Sequence, residues 1–319
     1  MVFRNLTLFR FPASAAEHWF DDRPVDDGLS FSIEPPSALP YLEECRLKPV
    51  GPRELSSRGF IPPHGGDSDA LMHRSGGAVW LTVGGEDRIL PGAVVNDMLA
   101  KKLAEIEKTE GRKPGGRTRK RIKDELIVDL LPRAFVKPSR VDAIIDLAHG
   151  IIAVDTSSRR LGENVVSEVR RALGSFPALP LNAEVAPRSV LTDWVAGEPL
   201  PDGLTIGDEC ELRDPFDHGA VVKCSRQDLQ GDEVGKHLEA GKQVTRLELT
   251  LNDHVSFVIG EDLVVRKFRL LDGATDALEN IDRDDLRAEL NARFALMSGE
   301  LHALFSTIER AFRVSKAEG

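Results

Sequence analysis

The sequence predicts an α+β protein, with α/β layering as the alternative, and three observations carry the prediction. First, "VDAIIDLAHGIIAVD" reads as two strands around His149-Gly150, and "GENVVSEVRRALG" follows as a helix with Val165, Val166, Val169 and Leu173 on one face, closed by Gly174. Second, "VTRLELTL", "HVSFVIG" and "LVVRKFRL" alternate as a three-strand antiparallel meander. Third, residues 284–312 carry the strongest helical pattern: Leu286, Leu290, Phe294, Met297, Leu301, Leu304, Phe305 and Ile308 make a wide apolar stripe, as core packing requires.

The other elements follow in chain order. Residues 2–11 alternate as a strand. Residues 21–48, rich in Pro, Asp and Ser, read as a loop with a short helix around "ALPYLEECRL". "SSRGFIPPHGG" has the chemistry of a turn, and "GAVWLTVGGEDRIL" reads as two short strands joined at the Gly-Gly pair. From Pro91, Val95, Leu99, Leu103 and Ile106 recur at helical spacing. Gly111, Pro114, Gly115 and Gly116 interrupt that helix, and a second one follows with Ile122, Leu126, Ile127 and Leu130 on its apolar face, ending at Pro132. The prolines from 177 to 201 suggest a lobe boundary, and "DLQGDEVGKHLEAGK" a further helix. Three parts are expected: 1–90, 91–180 with the basic helical segment, and 181–319 with the meander and terminal helix.

Composition excludes several classes. The 319 residues are 41% hydrophobic and 29% charged, an ordinary globular balance. There is no run of 18 apolar residues, so no membrane contact is expected, and the N-terminus lacks a signal-peptide pattern. Cys45, Cys210 and Cys224 are odd in number and without C-x-x-C spacing, which argues for a reducing cytoplasm, buried inert thiols and no cysteine-rich zinc site.

Catalytic signals are weak. "GRKPGGRT", Gly111 to Thr118, has Walker A spacing but places Arg117 at the lysine position, and a helix rather than a strand is expected before it. His64 and His73, with Asp67 and Asp69 between them, would offer a loop cation site, yet no further ligand stands at recognisable spacing, and the two acids read as turn caps. Asp284-Asp285 suit a helix start. No G-x-S-x-G occurs, and the positive charge near Cys224 lacks a local histidine. No enzyme, no cofactor and no metal are expected.

The charge distribution is informative. The formal net charge is −10, yet Arg112, Lys113, Arg117, Arg119, Lys120, Arg121 and Lys123 follow one another without an acid, and residues 111–140 hold a local balance of +7 with Arg133, Lys137 and Arg140. Such a patch neutralises phosphates and releases counterions, giving salt-sensitive, sequence-independent affinity; a solvated loop is the plain alternative. In "LLPRAF", Pro132 ends the helix and sets Arg133 and Phe135 at the turn beyond it. An aromatic there suits base stacking or a wedge, or else a core or subunit plug.

Six segments taken together resemble the bacterial RdgC family of recombination-associated proteins: "FRNLTLFR" (3–10), "SRGFIPPHG" (57–65), "DELIVDLLPRAF" (124–135), "GSFPALPL" (174–181), "KCSRQDLQGDEVGKHLEAGKQVTRLEL" (223–249) and "FALMSGELHAL" (294–304). The match runs in order over nearly the whole chain. The resemblance implies a multi-lobed, curved α+β subunit of mixed and antiparallel sheets, closing head to head into a ring-shaped homodimer whose positive hole admits duplex DNA. It implies a nucleoid-associated protein that binds double-stranded DNA, with single-stranded DNA as a second ligand, without sequence preference. It further implies modulation of RecA-dependent recombination and no established catalytic activity. The competing reading is a regulator that contacts RecA or the replication machinery through acidic surface, with DNA secondary. Carried onto this chain, the family's basic helical region falls on 112–123, its Pro-Arg-Ala-Phe turn on Pro132 to Phe135, and further backbone contacts on Lys223 and Arg226, with Lys236 facing solvent. The chain departs from the family pattern at Phe60, where Trp is frequent, in the length and proline content of 21–48, and at Cys224, where a basic residue is usual.

Overall fold

In a computed structural model of the chain, residues 3–15, 20, 23–26, 31–34, 38–65, 68–216, 220–276 and 286–316 are described. Asp67 and the Asp284-Asp285 pair lie outside them, as does the side chain of Leu286. In chain order the elements are β1 (Thr7–Arg10), β2 (Arg23–Asp26), β3 (Phe31–Glu34), α1 (Ala38–Glu44), β4 (Ser56–Phe60), β5 (Met72–Ser75), β6 (Ala78–Ile89), α2 (Gly92–Glu110), α3 (Gly116–Leu130) and β7 (Phe135–Asp146). There follow β8 (Ile151–Val154), α4 (Arg159–Leu173), β9 (Leu179–Pro180), α5 (Pro187–Val195), β10 (Leu204–Arg213), β11 (Val221–Cys224) and α6 (Asp232–Glu239). The chain ends with β12 (Gln243–Leu251), β13 (Val255–Gly260), β14 (Val265–Leu270), α7 (Asp272–Thr275) and α8 (Leu286–Phe312).

The contacts divide the chain into two units, each discontinuous in sequence. One comprises residues 1–44, 62–82 and 141–319, the other 45–61 and 83–140; β6 and β7 contribute residues to both.

The larger unit holds the β2-β3 hairpin and strands of two larger sheets. The predicted meander is present as β12-β13-β14, extended by β10 and β11 into an antiparallel sheet of order β11-β10-β12-β13-β14. In the second sheet β1 lies between β8 and β9, both antiparallel to it, and β7 pairs with the far side of β8. Leu6 and Val265 exchange backbone hydrogen bonds of 2.8 and 3.0 Å, which ties the two sheets together. Apolar residues of both sheets, of α5 and of α8 make one continuous core, including Phe3, Leu191, Trp194, Leu247 and Phe257. From α8 come Phe294, Met297, Leu301, Leu304, Phe305, Ile308 and Phe312, all buried, as its stripe predicts. The helix α4 begins at Ser158, whose hydroxyl accepts from the Leu161 N–H at 3.4 Å. No helix among the described residues is long and apolar enough to cross a membrane.

Three local expectations are corrected. Residues 21–48 contain a paired antiparallel hairpin, β2-β3, before the expected helix α1. "SSRGF" is a strand, β4, rather than part of a turn: Phe60 donates to the Cys45 carbonyl at 3.0 Å and its own carbonyl accepts from Leu47 at 2.9 Å, while Ser56–Phe60 pair with β6. The Gly-Gly pair does not turn the chain. Gly84 and Gly85 lie inside one 12-residue strand, β6, because a neighbouring segment passes close by: a Cβ on Gly84 would lie 2.8 Å from Ile61 Cγ2. The proline-rich stretch before 201 holds the helix α5, which starts at Pro187 and packs on β12.

Candidate nucleic-acid interface

The basic segment folds as an αα-hairpin within the smaller unit. After Pro91, whose fixed φ suits a helix start, α2 buries Val95 and Leu99; it stops at Gly111, whose N–H bonds the Glu107 carbonyl at 2.9 Å. Residues 111–115 turn the chain, and α3 returns with Ile122 and Leu126 buried. Leu99, Ile122 and Leu126, with Leu103 and Ile106 packed beside them, form a small apolar cluster separate from the main core. The 3.6-residue period therefore decides what the polar residues do: with Ile122 and Leu126 committed to α2, the polar residues of α3 face solvent.

Every basic residue singled out in the segment is exposed: Arg112 and Lys113 in the turn, and Arg117, Arg119, Lys120, Arg121 and Lys123 on α3. Arg117, Lys120 and Arg121 line one shallow groove that continues into Asp124, Glu125 and Asp129. Arg121 makes a loose pair with Glu125 at 3.6 Å, worth little in solvent.

The order of charge along α3 is the reverse of what helix stability favours. The N-terminal end of a helix carries partial positive charge and the C-terminal end partial negative charge. Yet α3 has no acid in its first turn, no base in its last, and no side-chain cap at Gly115. By contrast, α6 places Asp232 and Glu233 in its first turn and Lys236 and His237 in its last. In α3 the helix dipole, the uncapped N–H groups and the cationic side chains all add positive potential at one end.

Beyond α3 a 3₁₀ turn, Leu131–Arg133, leads into β7. Arg133, Phe135 and Lys137 are exposed there. Phe135 is 84% exposed, so the plug within the subunit core is not its role. Arg88, on β6, sets this turn: it donates to the carbonyls of Leu131 at 2.9 Å, Ala134 at 3.3 Å, Gly51 at 3.2 Å and Val50 at 3.4 Å. Sequence reasoning missed Arg88, since nothing local distinguishes it from any other strand arginine; its importance comes from contacts 37 to 46 residues away.

Lys223 and Arg226 belong to the larger unit, the hairpin residues to the smaller. Lys223, on β11, is exposed but reaches to 3.7 Å from Glu211 Oε2. Glu211 is buried in the sheet, and burial alone would push its carboxyl up; the hydrogen bond from Arg213 and the charges of Arg246 and Lys223 outweigh this and hold it below the usual carboxylate range. Lys223 is thus drawn toward Glu211 while its side chain stays largely in solvent. Arg226 is exposed with φ of 57°, a left-handed conformation costing roughly 1 kcal/mol for a non-glycine residue. Lys236 is exposed on α6.

The other sequence signals resolve structurally. A helix, α2, precedes "GRKPGGRT", so the strand-loop-helix geometry of a Walker A motif is absent there. His64 and His73 pack edge to face, ring centroids 4.7 Å apart, and both lie against Trp80. Cys210 and Cys224 are buried and face each other across β10 and β11; burial, then the neighbouring Cys224, push the Cys210 thiol up to about 12. Cys45 is half-buried.

The molecule is therefore a two-unit α+β protein that presents an uncapped, cation-bearing helix end to solvent. A family model described as "RdgC: Putative exonuclease, RdgC" matches residues 1–315. The chain is 62% identical over its full 319 residues, and the full length of the relative, to the "Recombination-associated protein RdgC" of Xanthomonas campestris pv. campestris (strain B100). It is 61% identical to that of Xanthomonas axonopodis pv. citri (strain 306) and 59% to that of Stenotrophomonas maltophilia (strain R551-3), again over both full lengths. The chain belongs to the RdgC family.

Proposed function

We propose that this protein binds double-stranded DNA without sequence preference, chiefly through the exposed end of the α2-α3 hairpin, and does not cleave it. As a ring-shaped homodimer it encircles the duplex, in the nucleoid, and restrains RecA-dependent recombination. The observation that carries the reading is the reversed charge order of α3, with Arg117, Arg119, Lys120, Arg121 and Lys123 exposed around its uncapped N-terminal end. Like charges gathered there disfavour the free helix, and a phosphate backbone relieves that repulsion. The net charge of −10 confines the attraction to such patches, which suits a protein that must hold DNA in one place and repel it elsewhere. Arg133, Lys137, Lys223 and Arg226 supply further backbone contacts, with Lys223 the weakest of them because Glu211 competes for it. Membership of a family whose relatives are named for recombination is consistent with this role.

Binding to a labelled duplex, measured against salt for wild type and for Arg119→Ala/Lys120→Ala/Arg121→Ala, tests the reading. Each phosphate contact contributes about 0.9 to the log–log salt slope, so the variant should lose roughly 2 to 3 from it, and affinity with it. An unchanged slope would remove the hairpin from the interface. The same reactions, run with magnesium and with manganese, should leave the label at full length; progressive shortening that the wild type shows and a buffer control does not would overturn the non-catalytic part.

A further inference from the structure

Three ligand-type side chains, two of them three residues apart and the third distant in sequence, meet in the larger unit. Asp146 ends β7, His149 lies in the turn to β8, and His302 projects from α8. Their ligand atoms all lie within 4.8 Å of one another. Both imidazoles address the same carboxylate oxygen: His149 Nδ1 is 2.8 Å and His302 Nδ1 3.4 Å from Asp146 Oδ2. The two rings are close, centroids 3.8 Å apart.

The arrangement is also held in place. Asp146 Oδ1 accepts the His149 backbone N–H at 3.1 Å, and the turn ends at Gly150, whose φ is 65°. A Cβ on Gly150 would lie 2.1 Å from the Phe11 carbonyl, which allows no other residue there without moving the chain. On the other side, α8 is anchored by its buried neighbours Leu301 and Phe305. All three ligands remain partly open to solvent, so an ion has an entry path.

We propose that Asp146, His149 and His302 form a binding site for one borderline divalent transition-metal ion, of which zinc is the best match, with solvent completing the coordination. Two imidazoles and one carboxylate are a donor set that suits such ions and not the oxygen-seeking calcium or magnesium. In a tetrahedral zinc site with bonds of about 2.0–2.1 Å, neighbouring ligand atoms stand about 3.3 Å apart. The His302–Asp146 separation already matches; the His149–Asp146 hydrogen bond opens by about half an ångström as the ion replaces its proton. The ion would bridge the β7–β8 turn to α8. The site has no sequence signature, because only Asp146 and His149 are near neighbours and His302 lies over 150 residues away.

The test uses the full-length protein, stripped with chelator and titrated with zinc chloride by calorimetry. Cobalt(II) serves as a spectroscopic substitute, since tetrahedral protein ligation gives ligand-field bands far more intense than the weak ones of hexaaqua cobalt. One equivalent should bind, with a rise in melting temperature. His149→Gln and His302→Gln, both at partly exposed positions, should each lower affinity by at least about tenfold, as loss of outer-shell partners alone can cost that much. Asp146→Asn should do the same while keeping the melting temperature of the metal-free protein within a few degrees. Equal zinc affinity in wild type and in the His149→Gln/His302→Gln double variant, or cobalt bands no more intense with the wild type than in buffer, would overturn the proposal.

Discussion

At the scale of single residues, charge and exposure assign different work to side chains that look alike in sequence. Glu211 is a buried acid serving three cations, Arg213, Lys223 and Arg246. Its folded pKa lies below the unfolded value, so the stability it contributes is complete above the ordinary glutamate range, near 4.3, and is lost as pH falls through the folded value. Glu211→Gln should therefore lower stability at neutral pH by about 1–3 kcal/mol and weaken its dependence on pH below about 5, as thermal melts between pH 3 and 7 would show. A variant whose pH profile overlays the wild type would mean another group governs the acid limb. Phe135 is the opposite case. At 84% exposed it contributes almost nothing to the fold, so Phe135→Ala should shift stability by no more than about 0.5 kcal/mol. If it stacks on or wedges into DNA, affinity should fall by about 1–3 kcal/mol with the mass of the proposed dimer unchanged. Loss of the dimer instead would place Phe135 at the subunit contact.

At the scale of elements, the α2-α3 hairpin joins a small apolar cluster to a large exposed charge. Leu126 is one of three buried residues in that cluster, so Leu126→Ala should cost about 2–3 kcal/mol, at the lower end for a buried leucine because a small cluster collapses readily. The lesion leaves every cation in place. DNA affinity should nevertheless drop, and protease should cut between 105 and 120 before it cuts the terminal helix. If affinity holds while the hairpin loosens, the cations act as a flexible tail and helix geometry is irrelevant to binding. Both helices were legible in advance: Val95, Leu99, Leu103 and Ile106, then Ile122 and Leu126, mark the faces the structure buries. The turn chemistry at Gly111 and Pro114 was equally local. What local reading could not supply was β6 as one strand, because Gly84 and Gly85 answer to Ile61 and Arg58 across the sheet and not to a bend in their own chain.

For the whole molecule, the proposed ring makes a topological prediction. A closed dimer around a covalently closed circle cannot leave without opening, whereas on a linear duplex it can slide off the ends. After loading at low salt, a challenge with high salt should release the protein from linear DNA and leave a fraction on circles of equal length. Equal release from both, with a dimer confirmed by light scattering, would reject encirclement while leaving phosphate binding intact. The net charge of −10 works in the same direction, since binding elsewhere on the surface is electrostatically unfavourable.

Elements whose information is periodic and local were readable from residue order alone: the terminal helix with its apolar stripe, the β12-β13-β14 meander, the two helices of the hairpin and the run of cations from its turn into α3. Residue order also carried the resemblance to the RdgC family that full-length identity with its members bears out. Folding was needed to show that Lys223 lies beside the buried Glu211 and that Arg88 holds the turn before Phe135. It alone brought Asp146 and His149 to His302. The physical reason is one of range. Helical and strand periods are written within a few residues, whereas the burial of a carboxylate or the meeting of two imidazoles depends on chain segments that only the folded core brings together.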